Sequence, residues 1–158
     1  MDKSHRYQLM LRWSGGAKAP AADYASYSRE YRVEVPGKPA LLGSADPSFR
    51  GDASLHNPEE LLLAALSACH MLSYLALCVR SRIPVVSYED AASGVMSEIA
   101  PHKIGFTEVM LKPRVVIAAG ADAEKAKALH HQAHDICFIA NSVNFPVRNK
   151  PEISAAAG

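Results

Sequence analysis

The sequence predicts one domain, residues 1–158, in which half-buried β-strands surround a long buried helix and a second helix follows. Three observations lead there. With 158 residues and 49% hydrophobic composition, the chain can bury one ordinary core. Segments on either side of its middle alternate polar with apolar residues, as half-buried strands do. Between them, residues 61–79 are apolar on every side of a helix rather than along one stripe, so that helix must be covered all round. The run approaches the ~20 residues that cross a bilayer. Ser67, His70 and Ser73 interrupt it and no second span accompanies it, so a buried central helix and no membrane partner are expected.

The elements follow in order. Residues 5–13 read as a strand, after which Ser14, Gly15 and Gly16 supply turn residues. From residue 27 to 35 the pattern alternates strictly. Tyr27, Arg29, Tyr31, Val33 and Val35 lie on one face, with Ser28, Glu30, Arg32 and Glu34 on the other. Pro36 and Gly37 end that strand, and a short strand at 40–42 is expected to pair back onto it. Residues 43–54 form a loop that contains Arg50 and Asp52, with His56 just after it. Asn57 suits an N-cap, Pro58 the first helical position, and Glu59 with Glu60 the positive end of the helix dipole. The helix should run to about residue 82, stopped by Pro84. Stretches 85–99 and 106–118 read as a strand pair joined by a short loop. A second helix is expected over 123–139 and a last strand within 143–153.

Charge and cysteine usage exclude several classes of function. Lysine and arginine total 17 against 16 acidic residues and are scattered along the chain, which argues against nucleic acid as a partner. Three cysteines without any Cys-x-x-Cys spacing do not make a disulfide scaffold, so a reducing cytoplasm is expected. The first seven residues lack the apolar core of a secretion signal.

Cys69, midway along the apolar helix, and Cys137, in the second predicted helix, are the residues most suited to chemistry. A buried thiol is ordinarily a small hydrophobe, and Cys78, half a helical turn round from Cys69, fits that role. Cys69 becomes reactive only as a thiolate, and mid-helix it gains little from the helix dipole, so a cation must reach it. Arg29 is the candidate, because the alternation puts its charge on an apolar face. A side chain snorkelling from an edge strand explains it equally well. Glu59 can orient Arg29 as a bidentate partner, or serve only as a dipole residue. His130, His134 and Cys137 share a helical face. With Cys69 or His70 they make a possible zinc set, although the paired thiols of structural zinc are missing. His70 reads either as a proton donor at the site or as a satisfied core histidine.

At these residues the chain closely resembles the OsmC/Ohr family, the osmotically induced and organic hydroperoxide resistance proteins. The match is the Asn-Pro-Glu-Glu-Leu-Leu run from Asn57 through Cys69, followed by Ala133-His134-Asp135-Ile136-Cys137. The resemblance implies an α+β fold forming an intertwined homodimer, its central cysteine helices flanked by antiparallel sheets. It also implies thiol-dependent peroxidase activity. Cys69 would be the peroxidatic cysteine and Cys137 the resolving one, with Glu59 and Arg29 the family's glutamate and arginine. No bound cofactor is implied; an external dithiol such as a dihydrolipoyl group would be the reductant. Phe138 after Cys137, where the hydroperoxide resistance branch has proline, and His70-Met71 after Cys69 look more like the OsmC-type branch.

Ten helical residues separate Glu59 from Cys69 by roughly 15 Å along the axis. An Arg29–Glu59 pair serving Cys69 is therefore expected from the partner subunit, giving two composite sites per dimer. Leu62, Leu66 and Leu72 around Cys69 favour an organic hydroperoxide as substrate. The competing function is a non-catalytic protein that binds an apolar small ligand in the dimer cleft.

Overall fold

The computed structural model describes residues 4–157; residues 1–3, where the reading of the N-terminus as signal-free begins, lie outside them. The architecture is α+β, with two α-helices and three small sheets. The chain forms two compact units, Met1–Leu61 and Leu62–Gly158.

The first unit is built on an antiparallel sheet of order β1-β2-β3, with β1 at Met10–Trp13, β2 at Tyr31–Glu34 and β3 at Leu41–Gly43. The first strand is shorter than the 5–13 expected, and the alternation from residue 27 becomes a ladder only at Tyr31. Its opening residues form a turn instead. The Tyr27 amide donates to the Asp23 carbonyl at 3.1 Å and the Ser26 hydroxyl to the Asp23 carboxylate at 2.8 Å. Such local side-chain and backbone bonds compete with strand pairing. The expected strand at 40–42 does pair back on β2, placing Gly43 opposite Tyr31, whose ring fills the space a Cβ would need. The following loop is closed at its base, where the Ser44 amide donates to the His56 carbonyl at 2.9 Å.

The long helix α1 spans Pro58–Arg80. Asn57 caps it: its side-chain oxygen accepts from the Glu60 amide at 2.8 Å, and the Glu60 carboxylate accepts from the Asn57 amide at 3.4 Å. That reciprocal pair is a capping box. At the other end Arg82 takes a left-handed φ of 59°, and the Ile83 amide reaches back to the Cys78 carbonyl at 2.9 Å. This wraps up the last carbonyls and stops the helix two residues short of the expected end. Along α1 only one stripe is buried, Leu66, His70, Tyr74 and Cys78 at intervals of four. Leu72 and Val79, 63% and 77% exposed, lie off it. The chain by itself does not cover the helix all round.

In the second unit β4 (Val85–Asp90), β5 (Ser93–Ala100), β6 (Lys103–Leu111) and β7 (Pro113–Ile117) replace the single strand pair read from the sequence. β5 and β6 form a hairpin whose turn places His102 at φ 62°, while β4 pairs with β7 in a different sheet. Asp90 marks the break. Its carboxylate accepts from the Lys112 amide and from the Ser67 hydroxyl, both at 2.6 Å, tying the two strand junctions to α1. The helix α2 follows at Ala123–Asp135, capped by Asp122. The expected last strand is two, β8 (Val147–Asn149) and β9 (Glu152–Ala155), divided at Pro151, which has no amide to donate. β8 joins β6 and β9 joins β7, both in parallel. Two of the three sheets are therefore mixed, not antiparallel as expected.

α1 is long and apolar enough to cross a bilayer by length and composition. Here it is a core helix: Tyr74 and Cys78 pack with Val115 and Ile117 of β7 and with Leu129 and Ala133 of α2.

Candidate active site

Cys69 lies on α1 one position before buried His70, which leaves its thiol half-buried. Cys137 is not on the second helix, as the sequence suggested. α2 ends at Asp135, with Ile136 as its C-cap, and Cys137 begins the turn beyond. Its amide donates to the His134 carbonyl at 3.2 Å, and its carbonyl accepts from the Asn141 amide at 3.0 Å. These bonds turn the side chain inward until the residue is 1% exposed. There Cys69 is a neighbouring group, as is the backbone of Ile139 and Ala140. Burial pushes Cys137 up to about 11; the neighbouring backbone of Ala140 and Ile139 pulls the other way, and the neighbouring Cys69 adds to the rise. Both cysteines are free thiols and lie near one another.

Cys78 is fully buried, as a packing residue should be, and contacts the Tyr74 hydroxyl. His70 also turns to the core. Its Nε2 lies 3.0 Å from Nδ1 of His130, whose ring stacks on Tyr74 at 3.8 Å between centroids. Burial lowers His70 to about 4, with the neighbouring His134 adding to the effect and Asp90 opposing it. Burial and then His70 lower His130 to about 3. The zinc arrangement does not form, because His130 is committed to His70. Among the described residues no group of three His, Cys, Asp or Glu side chains is placed to hold a metal.

Arg29 lies in the irregular stretch between the Asp23 turn and β2 instead of on a strand face. Its two terminal nitrogens donate to the carbonyls of Tyr27 at 2.6 Å and Tyr24 at 2.5 Å, and its guanidinium lies 3.8 Å over the Tyr27 ring. With Lys18, Arg50, Asp52 and Ser44 it lines a polar cavity of about 290 Å³. Glu59, in the first turn of α1, has one carboxylate oxygen buried without a hydrogen-bond partner, and after burial its charge is the second influence raising the Tyr31 phenol. No ion pair joins Arg29 to Glu59 among the described residues: the turn's own carbonyls already hold the guanidinium. Elsewhere in this unit Asp52 fastens the loop through the Ser54 amide at 2.8 Å, and His56 faces the Glu60 carboxylate at 3.3 Å.

A model of the family described as OsmC-like protein matches residues 51–152. The solved structure of an OsmC-like protein of unknown function from Vibrio cholerae O1 biovar eltor str. N16961 is 32% identical, with a TM-score of 0.86 over 94% of this chain and 100% of that one. This chain belongs to the OsmC-like family. The organic hydroperoxide resistance proteins of Legionella pneumophila and Elizabethkingia anophelis share its fold at 20% and 21% identity. Their TM-scores are 0.68 and 0.67, each covering 96% of this chain and 99% of theirs. No curated protein matches it.

One feature of this OsmC-like site is missing from the sequence reading, and a second is read there only as part of a possible zinc set. The backbone of Ile139 and Ala140 beside Cys137 carries no side-chain signature, and no residue pattern announces it. The His70–His130 pair does leave a trace, since His70 falls in register with Leu66, Tyr74 and Cys78.

Proposed function

We propose that this OsmC-like chain is a thiol-dependent peroxidase that reduces organic hydroperoxides. The observation that carries the reading is the proximity of Cys69 and Cys137, free thiols brought near one another from the middle of α1 and the turn after α2. A half-buried thiol beside a buried one is the arrangement of an attacking and a resolving cysteine. The Cys69 thiolate attacks the distal peroxide oxygen: an S–O bond forms, the O–O bond breaks, and the departing alkoxide takes a proton to become the alcohol. Cys69 is left as sulfenic acid. The Cys137 sulfur then bonds to the Cys69 sulfur, and the hydroxyl leaves with the Cys137 proton as water. An external dithiol, such as a dihydrolipoyl group, reduces the disulfide by two exchanges and becomes a disulfide itself.

Arg29 and Glu59 complete the site in this reading as residues of the partner subunit in a homodimer. The apolar Leu62 and Leu66 beside Cys69, both packed in the second unit's core, favour an organic peroxide over hydrogen peroxide. A reducing cytoplasm suits two cysteines that must return to thiols after each turnover.

The test is the rate at which the reduced protein consumes cumene hydroperoxide and hydrogen peroxide with dihydrolipoamide present. Fast loss of the organic peroxide is expected from the wild type and none from Cys69→Ser. Appreciable turnover by the variant sinks the assignment. No turnover by either protein favours a non-catalytic binder of apolar ligands.

A further inference from the structure

The polar cavity of the first unit is lined by two guanidinium groups, those of Arg29 and Arg50, that pair with no carboxylate among the described residues. We infer that this cavity, of about 290 Å³, binds a small oxyanion, an organic carboxylate or phosphate, held by both guanidinium groups and by the hydroxyls of Ser28 and Ser44. Neither Glu59 nor any cysteine lines it, so the site stands apart from the peroxidase reading.

Positive charge is what the cavity has in surplus. Its lining carries Lys18, Arg29 and Arg50 against the carboxylates of Glu30 and Asp52. Lys18 and Glu30 neutralise one another at 2.6 Å. The Asp52 carboxylate is engaged in its own loop, where it accepts from the Ser54 amide at 2.8 Å and the Ser54 hydroxyl at 2.7 Å. Asp23, outside the lining, feels the Arg29 charge but bonds to Ser26. The carbonyls of Tyr24 and Tyr27 that hold Arg29 are dipoles; they satisfy its hydrogen bonds and leave its charge uncompensated. Those bonds, with the tyrosine rings 3.8 and 5.0 Å from the guanidinium, hold the cation in place before anything binds. The Arg50 side chain has no partner among the described residues.

The loop that carries Arg50 is closed by its own bonds. Asp46 caps the short turn Pro47–Phe49 by accepting from the Ser48 amide at 2.7 Å, and the Arg50 and Gly51 amides return to the Pro47 and Asp46 carbonyls, both at 3.0 Å. A Cβ on Gly51 would fall 1.5 Å from the Ala45 carbonyl oxygen, so the backbone meets itself there with no room for a side chain. The Ser44 hydroxyl, on a residue 1% exposed, accepts from the Asp52 amide at 3.1 Å, and the Ser28 hydroxyl accepts from the Glu30 amide at 3.3 Å. Each hydroxyl keeps its own hydrogen to donate. Guanidinium forks with added O–H donors match the several lone pairs of a carboxylate or phosphate. The volume is at the small end of ligand sites, which favours a small acid or phosphate itself over a larger molecule.

The experiment uses no peroxide, so its result is independent of peroxidase activity. The full-length reduced protein is titrated separately with sodium phosphate, sodium succinate and sodium chloride at matched ionic strength, and its backbone amides are followed by NMR. Phosphate, succinate or both should move the amides of Tyr27, Arg29, Gly51 and Asp52 to saturation, and chloride should not. Saturation by phosphate alone assigns the site to phosphate, and by succinate alone to a carboxylate. Arg50→Gln should weaken binding roughly tenfold, and Arg50→Lys less, because the point charge stays while the fork is lost. Shifts that do not saturate, that chloride reproduces, or that are unchanged in Arg50→Gln overturn the inference. If the spectrum of Arg50→Gln shows misfolding, Arg50→Lys decides: weaker oxyanion binding supports the fork, and unchanged binding refutes it.

Discussion

An imidazole shut away from water must find its hydrogen bonds inside the protein, and His70 and His130 find one in each other, at 3.0 Å. One nitrogen donates and the other accepts, which neutral rings allow and two cationic rings forbid. Replacing His130 by Phe keeps a ring on Tyr74 but strands the His70 nitrogen, and should cost about 1–3 kcal/mol of stability. The pH dependence has a definite sign. Both folded-state values, about 4 for His70 and about 3 for His130, lie below the ordinary 6.5, so the unfolded chain takes up protons first as pH falls. The contribution of the pair is whole above about 6.5 and is lost progressively down to about 4 and about 3. Urea unfolding midpoints over that window should therefore fall with pH in the wild type and fall less steeply in His130→Phe. Equal slopes would show that other groups carry the acid sensitivity. The sequence left His70 open between a core residue and a proton donor; only the position of α2 assigns it to the core.

Helix boundaries were written more plainly than strand boundaries. Asn57, Pro58 and Glu60 act through bonds within one turn, and α1 starts where they say. Asn57→Ala should cost about 1 kcal/mol, measured by thermal or urea unfolding. An unchanged midpoint would mean that packing alone positions the first turn. The strands behaved differently. Stretches 85–99 and 106–118 are β-prone throughout, and their division depends on Asp90 holding both Ser67 and Lys112, contacts across distant parts of the chain. Alternation from residue 27 likewise describes a pleat without naming a partner strand, and the Asp23 turn takes the first half of it. Cys137 was placed on a helix because residues 123–139 favour one, yet α2 stops at Asp135, and that stop turns the thiol inward.

Across the whole molecule the unfinished feature is α1. A helix apolar on every side has one stripe buried by its own chain, leaving Leu72 and Val79 largely in water. Burial returns about 25 cal/mol per Å² of apolar surface, so a face of this kind drives association. We propose that a second copy covers it, forming the homodimer in which Arg29 and Glu59 reach the partner's Cys69. Leu72→Glu should convert a dimer to a monomer in sedimentation, with loss of peroxide turnover. A monomeric wild type would count against the composite site. The presence of half-buried strands, the core helix with its cap and the two cysteines to watch were all determined by the sequence itself, because periodicity, capping and residue chemistry act over a few residues. Which strands pair, where Arg29 points and how Cys137 meets Cys69 were decided only by the tertiary structure, because each depends on groups distant in the chain that folding alone brings together.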